Sequence, residues 1–283
     1  MPVPTCVLGG EGIHDYVTRG HDFDRFVELG SLTKVVTGTI LVQLATAGVL
    51  NPDDPLELLI DEVPAGTGVT LQHLAEHTSG LPRLPPAASA SPHDPYASFS
   101  EAALRELLRD WHKTATGPVG KEEYSNLGYA VLGHALTTTT GRTFQELADE
   151  YVLTPLGMQK GAVTASPPPD QRLVPRGLLG RPRRLWTLTG PILPAGGLWA
   201  TPRTAAQLAV GLTVERVLGE PAPTWFRNGP ALWYHGATRA SSAFTAAHED
   251  GRWIFVHRLR GNLRHTDRLA TQKLKASGAA SRK

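Results

Sequence analysis

Apolar positions form one long run near the start of the chain, from Ser31 to Leu50. Within this run Lys34 is the only charged residue, Gln43 is the only amide, and the other positions hold Val, Ile, Leu, Ala, Thr, Ser or Gly. A helix that is apolar on nearly every side is typical of a protein interior. The run therefore predicts a buried helix of about 30 Å, at 1.5 Å rise per residue. We expect it to close with Gly48 and the turn that begins at Asn51.

Shorter patterns elsewhere place strands near both ends of the chain and helices in between. Runs rich in β-branched and aromatic residues predict strands, and apolar residues at helical spacing predict helices. The predicted strands cover residues 5–8, 16–18, 231–235, 241–248 and 252–259, and the predicted helices cover residues 71–76, 101–111, 127–137, 144–153, 201–212 and a basic stretch from residue 265.

This order predicts an α+β fold, in which an antiparallel sheet made from both termini is flanked by helices and carries an inserted helical region. We expect a single unit over residues 1–283. Its sheet subdomain would span about 1–30 and 185–283, and its helical region about 31–184.

Composition and charge argue against several classes of function but do not identify the function. The net charge of +2 gives no support to a nucleic-acid partner, and the chain contains no basic helix interleaved with aromatic residues. Cys6 is the only cysteine, so an intrachain disulfide and a thiolate metal cluster are both excluded. The first residues lack the pattern of a secretory signal, and no apolar run is long enough to favour a membrane span. We therefore expect a cytoplasmic protein of undetermined oligomeric state.

The first turn of the long apolar helix holds the most suggestive chemistry. Ser31 and Lys34 are three residues apart, so their side chains point to the same side of a helix. Burial disfavours a charged lysine, and a neutral amine beside a hydroxyl is a base beside a nucleophile. The alternative is structural: Ser31 as a helix N-cap and Lys34 extending to water. Only residues elsewhere in the chain can decide between these two interpretations.

Further motifs follow in a consistent order. Taken together with Ser31-x-x-Lys34, they resemble the serine β-lactamase and penicillin-binding-protein-like family, and most closely its class C β-lactamase, D,D-peptidase and esterase branch. The resemblance covers residues 5 to 260. It is carried by His77-Thr78-Ser79-Gly80-Leu81-Pro82, Tyr124-x-Asn126, Pro155-Leu156-Gly157-Met158, Ala195-Gly196-Gly197-Leu198 and His235-Gly236-Ala237.

The resemblance implies a β-lactamase/transpeptidase-like fold and a role for each matching residue. Ser31 would be the nucleophile, and Lys34 and the Tyr124 phenol would share the removal of its proton. Asn126 would hold Lys34 and a substrate amide or carbonyl, and His235 would place a donor near the substrate. The family chemistry implies no metal and no organic cofactor.

The strand after His235 departs from the family pattern. Relatives usually have one small residue between this position and a glycine, whereas this chain reads His235-Gly236-Ala237-Thr238. An oxyanion hole needs two N–H donors. One would be that of Ser31, and the other would belong to Ala237 or to Thr238, with Gly236 leaving room for a substrate along the strand.

These residues predict a serine acyl-transfer enzyme that forms an acyl-Ser31 intermediate. Its substrate would be a small ester, amide or lactam, and the acyl group would pass to water or to an amine or alcohol. The sequence therefore fits an esterase, an amidase or a transacylase, and alternatively a class C-like β-lactamase or a D,D-peptidase. A catalytically silent binding protein on the same fold is the alternative from another class.

A competing zinc motif lies within the same region. His73-Leu74-Ala75-Glu76-His77 fits H-x-x-E-H, in which two histidines on one helix hold zinc and the glutamate acts as a base. The residues that follow His77 belong instead to the serine-family pattern, so we predict no metal site and expect a structural role for His77.

Overall fold

The main sheet joins the two ends of the chain. The computed structural model describes residues 3–18, 20–86, 93–177, 180–260 and 262–280. The strands are β1 (Thr5–Gly9), β2 (Tyr16–Val17), β3 (Val27–Glu28), β4 (Val163–Thr164), β5 (Trp199–Ala200), β6 (Phe226–Asn228), β7 (Ala231–Ala237), β8 (Ser241–His248) and β9 (Trp253–Leu259). Six of them form an antiparallel sheet in the order β2-β1-β9-β8-β7-β6, with Thr5 opposite Arg258. The predicted α+β fold, with a sheet built from both termini, is confirmed.

Helices fill the chain between β3 and β6 and follow β9. They are α1 (Thr33–Thr46), α2 (Leu71–Ala75), α3 (Glu101–Arg109), α4 (Trp111–Thr114), α5 (Asn126–Thr140), α6 (Phe144–Ala148), α7 (Leu193–Gly196), α8 (Pro202–Thr213) and α9 (Leu263–Ala280). No helix in the described ranges is both long and apolar enough to cross a bilayer. The subdomain bounds at residues 30 and 185 stay a prediction.

The long apolar helix is shorter than predicted. It begins as a 3₁₀ turn at Gly30–Leu32, continues as α1 and gives way to a turn at Ala47. Gly48 then takes a φ of +68°, in the left-handed region, which turns the chain out of the helix. The predicted close at Gly48 is confirmed, whereas the predicted length of about 30 Å is too great, because residues 47–50 form the helix end and the turn after it.

The core lies on both faces of the main sheet. On the inner face, α8 packs against β1, β8 and β9, and behind it α1 is enclosed by α5, α6 and α7. On the outer face, α9 covers parts of β7, β8 and β9 over a smaller apolar cluster that includes Phe244, Ile254 and Val256. The inner core is the larger of the two, and α1, which follows the Ser31 turn, is buried within it.

A second, small sheet lies next to the Ser31 turn. Its strands have only two residues each and are ordered β3-β5-β4, with Glu28 opposite Trp199. The sequence did not predict these strands because two residues are too few to show alternation. Residues 27–28 of this sheet lead directly into the turn that carries Ser31, so they fix where that turn begins.

Candidate active site

Ser31 lies in the 3₁₀ turn at the head of α1, at the bottom of a pocket. The cap position of α1 is Leu32, and no side chain caps its first N–H groups. The interpretation of Ser31 as an N-cap is therefore excluded. The Ser31 hydroxyl instead receives hydrogen bonds from two side chains, those of Lys34 and Tyr124.

Lys34 is fully buried and its ammonium nitrogen faces three acceptors. Nζ donates to Ser31 Oγ at 3.3 Å, to Asn126 Oδ1 at 2.8 Å and to the carbonyl oxygen of Ala195 at 2.6 Å. A protonated lysine has three N–H donors and no acceptor, so this shell matches the charged form. The predicted extension of Lys34 to water is wrong because the side chain is enclosed within the protein.

Tyr124 approaches Ser31 from the loop that precedes α5. Its hydroxyl donates to Ser31 Oγ at 2.8 Å, and Lys34 Nζ lies 5.0 Å from the centre of its ring. The ring also packs against His77, with 4.4 Å between ring centres, and against the Arg83 guanidinium at 5.0 Å. The phenol is thus held by contacts around the ring as well as by its hydroxyl.

The charges around Tyr124 change how readily it ionises. Burial alone would raise the pKa of the Tyr124 phenol, but the Lys34 cation and the hydrogen-bonding contacts with Lys34, Ser31 and Tyr234 lower it below its ordinary value. Burial likewise lowers the pKa of Lys34. The pKa of His77 falls to about 3 through burial and through the cations Lys34 and Arg83, so its ring is neutral. The phenol is therefore the group most favoured to carry negative charge next to Ser31.

Asn126 joins the opposite sides of the pocket. It is the first residue of α5, and Ser125, not Asn126, caps that helix by accepting from the Gly128 N–H at 2.8 Å. The Asn126 side chain is thereby free to accept from Lys34 and to donate from Nδ2 to the Tyr96 hydroxyl at 2.7 Å. Both ends of the amide are occupied, which fixes its orientation.

The backbone of strand β7 lies directly against the backbone of the Ser31 turn. A Cβ on Gly236 would lie 2.1 Å from the Leu29 carbonyl oxygen and 2.9 Å from the Ser31 nitrogen. A Cβ on Gly30 would lie 3.0 Å from the Ala237 nitrogen. Only glycine at these two positions allows the strand and the Ser31 turn to approach so closely.

The hairpin after β7 distinguishes between the two predicted oxyanion donors. The Thr238 N–H donates to the Ser241 carbonyl oxygen at 3.0 Å, so it is already engaged in the β7–β8 hairpin. Hydrogen-bonded and non-hydrogen-bonded pairs alternate along antiparallel strands, so the N–H of Ala237, opposite Ser242, points away from β8. Ala237 lines the pocket and Thr238 does not. The geometry therefore favours Ala237 as the second donor.

Thr238 instead connects the hairpin to a buried carboxyl group. Its hydroxyl donates to Glu28 Oε2 at 2.7 Å and accepts from the N–H groups of Ala240 and Ser241. Burial raises the pKa of Glu28 to about 7, although the Thr238 hydrogen bond acts in the opposite direction. Glu28 thus holds the end of the strand that carries Ala237.

His235 lines the pocket from the outer side of β7. Its Nδ1 lies 3.1 Å from Oδ2 of Asp267, a residue of α9, and both side chains are about one-quarter exposed. The contact with Asp267 occupies Nδ1 and orients the imidazole ring, so that Nε2 is the ring nitrogen not used by Asp267. The predicted placement of His235 beside the site is reproduced, and Asp267 is an addition that the sequence did not suggest.

The pocket above Ser31 has a volume of about 390 Å³. Aromatic and aliphatic side chains provide most of its wall, and Arg83 and His235 provide its basic groups. No Asp or Glu is present among the described residues that line it. Besides Ser31, Tyr124 and Asn126, the wall includes Leu84, Pro95, Tyr96, Trp186, Leu188, Ile192 and Leu263.

The zinc alternative does not match the local structure. Helix α2 ends at Ala75, and His77 has a φ of +62°, so the two histidines of the motif do not share a helix. His73 Nδ1 is used at the start of α2 with Thr70, and His77 Nδ1 accepts from the Ser125 N–H at 3.1 Å. Within the described ranges, no group of three or more potential ligand residues is placed to hold a metal ion.

Several residues of the site escaped the sequence analysis. Ala195 belongs to a motif that carries the family resemblance, but its contact with Lys34 is made by its main-chain carbonyl, which the side-chain pattern does not reveal. Tyr96, Glu28 and Asp267 reach the site from separate parts of the chain. None of the three lies in a recognisable short motif, so only the tertiary structure brings them together.

Comparison with known proteins agrees with this geometry. The model of the family described as Beta-lactamase matches residues 9–269. The chain belongs to the Beta-lactamase family. The resemblance inferred from the motifs is thereby confirmed.

Individual relatives differ in their described activities. The D-alanyl-D-alanine-carboxypeptidase/endopeptidase AmpH of Escherichia coli (strain K12) is 33% identical over 184 residues, which cover 63% of this chain and 46% of the relative. Penicillin-binding protein 4* of Bacillus subtilis (strain 168) is 26% identical over 136 residues, covering 48% of this chain and 30% of the relative. The chain spans less than half the length of these curated relatives.

Solved structures match over nearly the whole chain. A class C β-lactamase from Rhodobacter sphaeroides gives a TM-score of 0.77 at 19% identity, covering 96% of this chain and 94% of that one. A β-lactamase/D-alanine carboxypeptidase from Yersinia pestis gives 0.77 at 20% identity, covering 97% and 93%. At this level of identity the likeness shows a β-lactamase/transpeptidase-like fold, as predicted.

Proposed function

We propose that this protein is a serine acyl-transfer enzyme that forms an acyl-Ser31 intermediate on a small ester or amide. The observation that carries the proposal is the contact of Ser31 Oγ with both Tyr124 and Lys34, at 2.8 Å and 3.3 Å. A nucleophile, a candidate base and a cation are thus in direct contact.

In acylation, the Tyr124 phenolate takes the proton of Ser31 as Oγ attacks the substrate carbonyl carbon. Lys34 remains protonated and stabilises the phenolate, a role supported by its three acceptors. The negative charge that develops on the carbonyl oxygen is met by the N–H groups of Ser31 and Ala237. The intermediate then collapses, and the proton held by Tyr124 passes to the leaving alcohol or amine.

Deacylation repeats these steps with a different nucleophile. Water, an amine or an alcohol gives its proton to Tyr124 and attacks the acyl carbon, and Ser31 leaves and recovers that proton. Water as acceptor makes the enzyme an esterase or amidase, and an amine or alcohol makes it a transacylase. The 390 Å³ pocket, with its mostly apolar wall, suits a small acyl group.

A D,D-carboxypeptidase or β-lactamase activity is the second candidate. It is favoured by the similarity to AmpH and by the pocket's basic groups, Arg83 and His235, which suit the carboxylate of such substrates. A binding protein without catalysis is disfavoured because such a protein has no need of Ser31, Lys34 and Tyr124 in contact.

Intact-protein mass spectrometry tests the proposal. The protein is mixed with an activated short-chain ester and, separately, with a penicillin, alongside Ser31→Ala and the control Ser166→Ala, which changes an exposed serine. We expect an acyl adduct on the wild type and on Ser166→Ala, and none on Ser31→Ala. An adduct that persists in Ser31→Ala would exclude the acyl-serine mechanism. The reagent that reacts distinguishes the two candidate substrate classes.

Two further variants test the partners of Ser31. Lys34→Met and Tyr124→Phe are each expected to slow acylation by roughly 10²- to 10⁴-fold, the range for loss of a positioned base or its stabilising charge. Circular dichroism provides the check that each variant is folded. An unchanged acylation rate in either folded variant would remove that residue from the mechanism.

A further inference from the structure

A second cavity, larger than the active-site pocket, lies on the outer face of the sheet. It has a volume of about 840 Å³ and runs between strands β6 and β7 on one side and helix α9 on the other. We call it the outer groove. Its volume is within the range of small-molecule sites, about 300–1,000 Å³. The proposed chemistry at Ser31 makes no use of it.

The floor of the outer groove is aromatic and apolar. The rings of Trp233 and Phe244 stack with 6.0 Å between their centres, and both side chains line the groove. Ala231 and Ala246 leave space above the neighbouring strands, and Leu274 of α9 forms the facing wall. Trp233 is only half-buried, so a flat apolar surface is available along β7.

One end of the outer groove is basic. Arg227 of β6 and Lys275 of α9 both line the groove, and neither side chain makes an ion pair or hydrogen bond to any residue in the described part of the chain. Arg252, the third cation there, is already held by Asp250 at 2.7 Å and by the Leu274 carbonyl at 2.7 Å. Two cations from opposite walls are therefore available to a bound anion.

The other end of the outer groove is different. Asp267 lines it there, and the same carboxylate contacts His235 of the active-site pocket. Along β7 the distance from Ala231, near the basic end, to His235 is about 13 Å at roughly 3.3 Å per residue. The groove thus has a direction, with cations at one end, an apolar middle and a carboxylate at the far end.

We propose that the outer groove is an accessory binding site for an amphipathic carboxylate with a medium-length alkyl chain. Its carboxylate would lie between Arg227 and Lys275, and its chain would lie on Trp233 and Phe244. The Asp267 end excludes a second negative charge, so a dicarboxylate of the same length is not accommodated. This inference does not rest on the proposed function. Asp267 and Trp233 contact His235, but the binding of the carboxylate and its chain uses no atom of Ser31, Lys34 or Tyr124.

Calorimetric titration with decanoate, below the concentration at which it forms micelles, tests the site. The charge-reversed variant Arg227→Glu/Lys275→Glu removes the basic end, and Ala231→Trp fills the groove. Lys273→Glu is the matched control, because Lys273 lies on α9 but contacts Tyr16 of β2, at the opposite edge of the sheet. Trp186→Ala alters only the active-site pocket.

We expect saturable one-to-one binding to the wild type, weakened at least tenfold in the charge-reversed variant and in Ala231→Trp. Affinity should be unchanged in Lys273→Glu and Trp186→Ala, and 1-decanol should bind at least tenfold more weakly. Absence of saturable binding to the wild type would overturn the proposal. So would equal affinity for decanol, retained affinity in the charge-reversed variant, or a loss confined to Trp186→Ala. Arg227 and Lys275 are exposed, so the double variant is expected to fold normally. It therefore tests the site even if Ala231→Trp disturbs the packing of the sheet.

Discussion

The two faces of β7 are built in different ways. The inward-facing residues Leu232, Tyr234 and Gly236 are buried, and Gly236 lies against the main chain of the Ser31 turn. The outward-facing residues Ala231, Trp233 and His235 are half-exposed and border the outer groove or the pocket. One strand thus provides a closed face that fixes the position of Ala237 and an open face where side chains leave room for ligands.

The two faces of β7 are therefore held by different kinds of contact. On the inner face, the side chains of Leu232 and Tyr234 pack in the core, whereas the contacts at Gly236 are between backbone atoms, which have little freedom to rearrange when a side chain is added. On the outer face the contacts are between side chains, such as the His235–Asp267 pair. We therefore expect substitutions on the inner face to have much larger effects than those on the outer face.

The largest effect is expected at the closed face. Gly236→Ala would place a Cβ 2.1 Å from the Leu29 carbonyl oxygen, so β7 must move away from the catalytic turn. Overpacking of this kind costs about 3 kcal/mol of unfolding free energy. Acylation should also fall by orders of magnitude, because Ala237 moves with the strand.

The matched control for that substitution is Gly117→Ala, where the added Cβ has its nearest contact at 3.7 Å. It should leave stability and acylation nearly unchanged, as measured by chemical denaturation and ester turnover. Equal effects of the two substitutions would show that close approach at Gly236 is not what positions the strand.

An intermediate effect, dependent on pH, is expected at Glu28, behind the closed face. Burial raises the pKa of this carboxyl from 4.5 to about 7, so the folded protein binds the proton more tightly than the unfolded chain does. The resulting stabilisation is complete below pH 4.5 and is lost as the pH rises to about 7, a change of ~3 kcal/mol. Glu28→Gln keeps the Thr238 hydrogen bond and should abolish that decline.

Denaturant titrations from pH 4.5 to 8 measure the Glu28 effect as the difference between variant and wild type. Glu57→Gln is the control: slight burial raises the pKa of Glu57, but hydrogen bonds from Gly66 and Thr67 lower it overall, so no decline is expected above pH 4.5. A wild-type-minus-Glu28→Gln difference that stays constant with pH would contradict the prediction.

The smallest effect is expected on the open face. Asp267→Asn weakens one partly exposed contact of His235, worth about 1 kcal/mol, so ester kcat/KM should fall about fivefold. Asp250→Asn, in the β8–β9 turn on the same sheet, should leave kcat/KM unchanged. If the fall in kcat/KM of Asp267→Asn is fully explained by a smaller folded fraction, and KM is unchanged, then Asp267 has a purely structural role.

The candidate active site could be predicted from the sequence more readily than the residues that support it. Ser31, Lys34, Tyr124 and Asn126 were identified because each occurs in a short pattern, and the structure places all four in contact. Helices such as α5 and strands such as β8 were identified because each is long enough to show periodicity.

The supporting contacts could not be identified in this way. Lys34 is held by the Ala195 carbonyl, and any residue type can supply a main-chain oxygen. The choice between Ala237 and Thr238 depended on which N–H the hairpin uses, and pairing register is a property of two strands together.

The pairing of β1 with β9 has a consequence for how the protein folds. Thr5 lies opposite Arg258, so the pairing of β1 with β9 joins residues that are 253 positions apart in the sequence. Contacts between residues so far apart in sequence must overcome a large loop-closure entropy and are formed slowly. Because β7 reaches β1 only through β8 and β9, Ala237, the proposed second oxyanion donor, is expected to reach its position late in folding, after β1 and β9 have paired. During synthesis, the helices around α1 can form long before the pocket they enclose is complete.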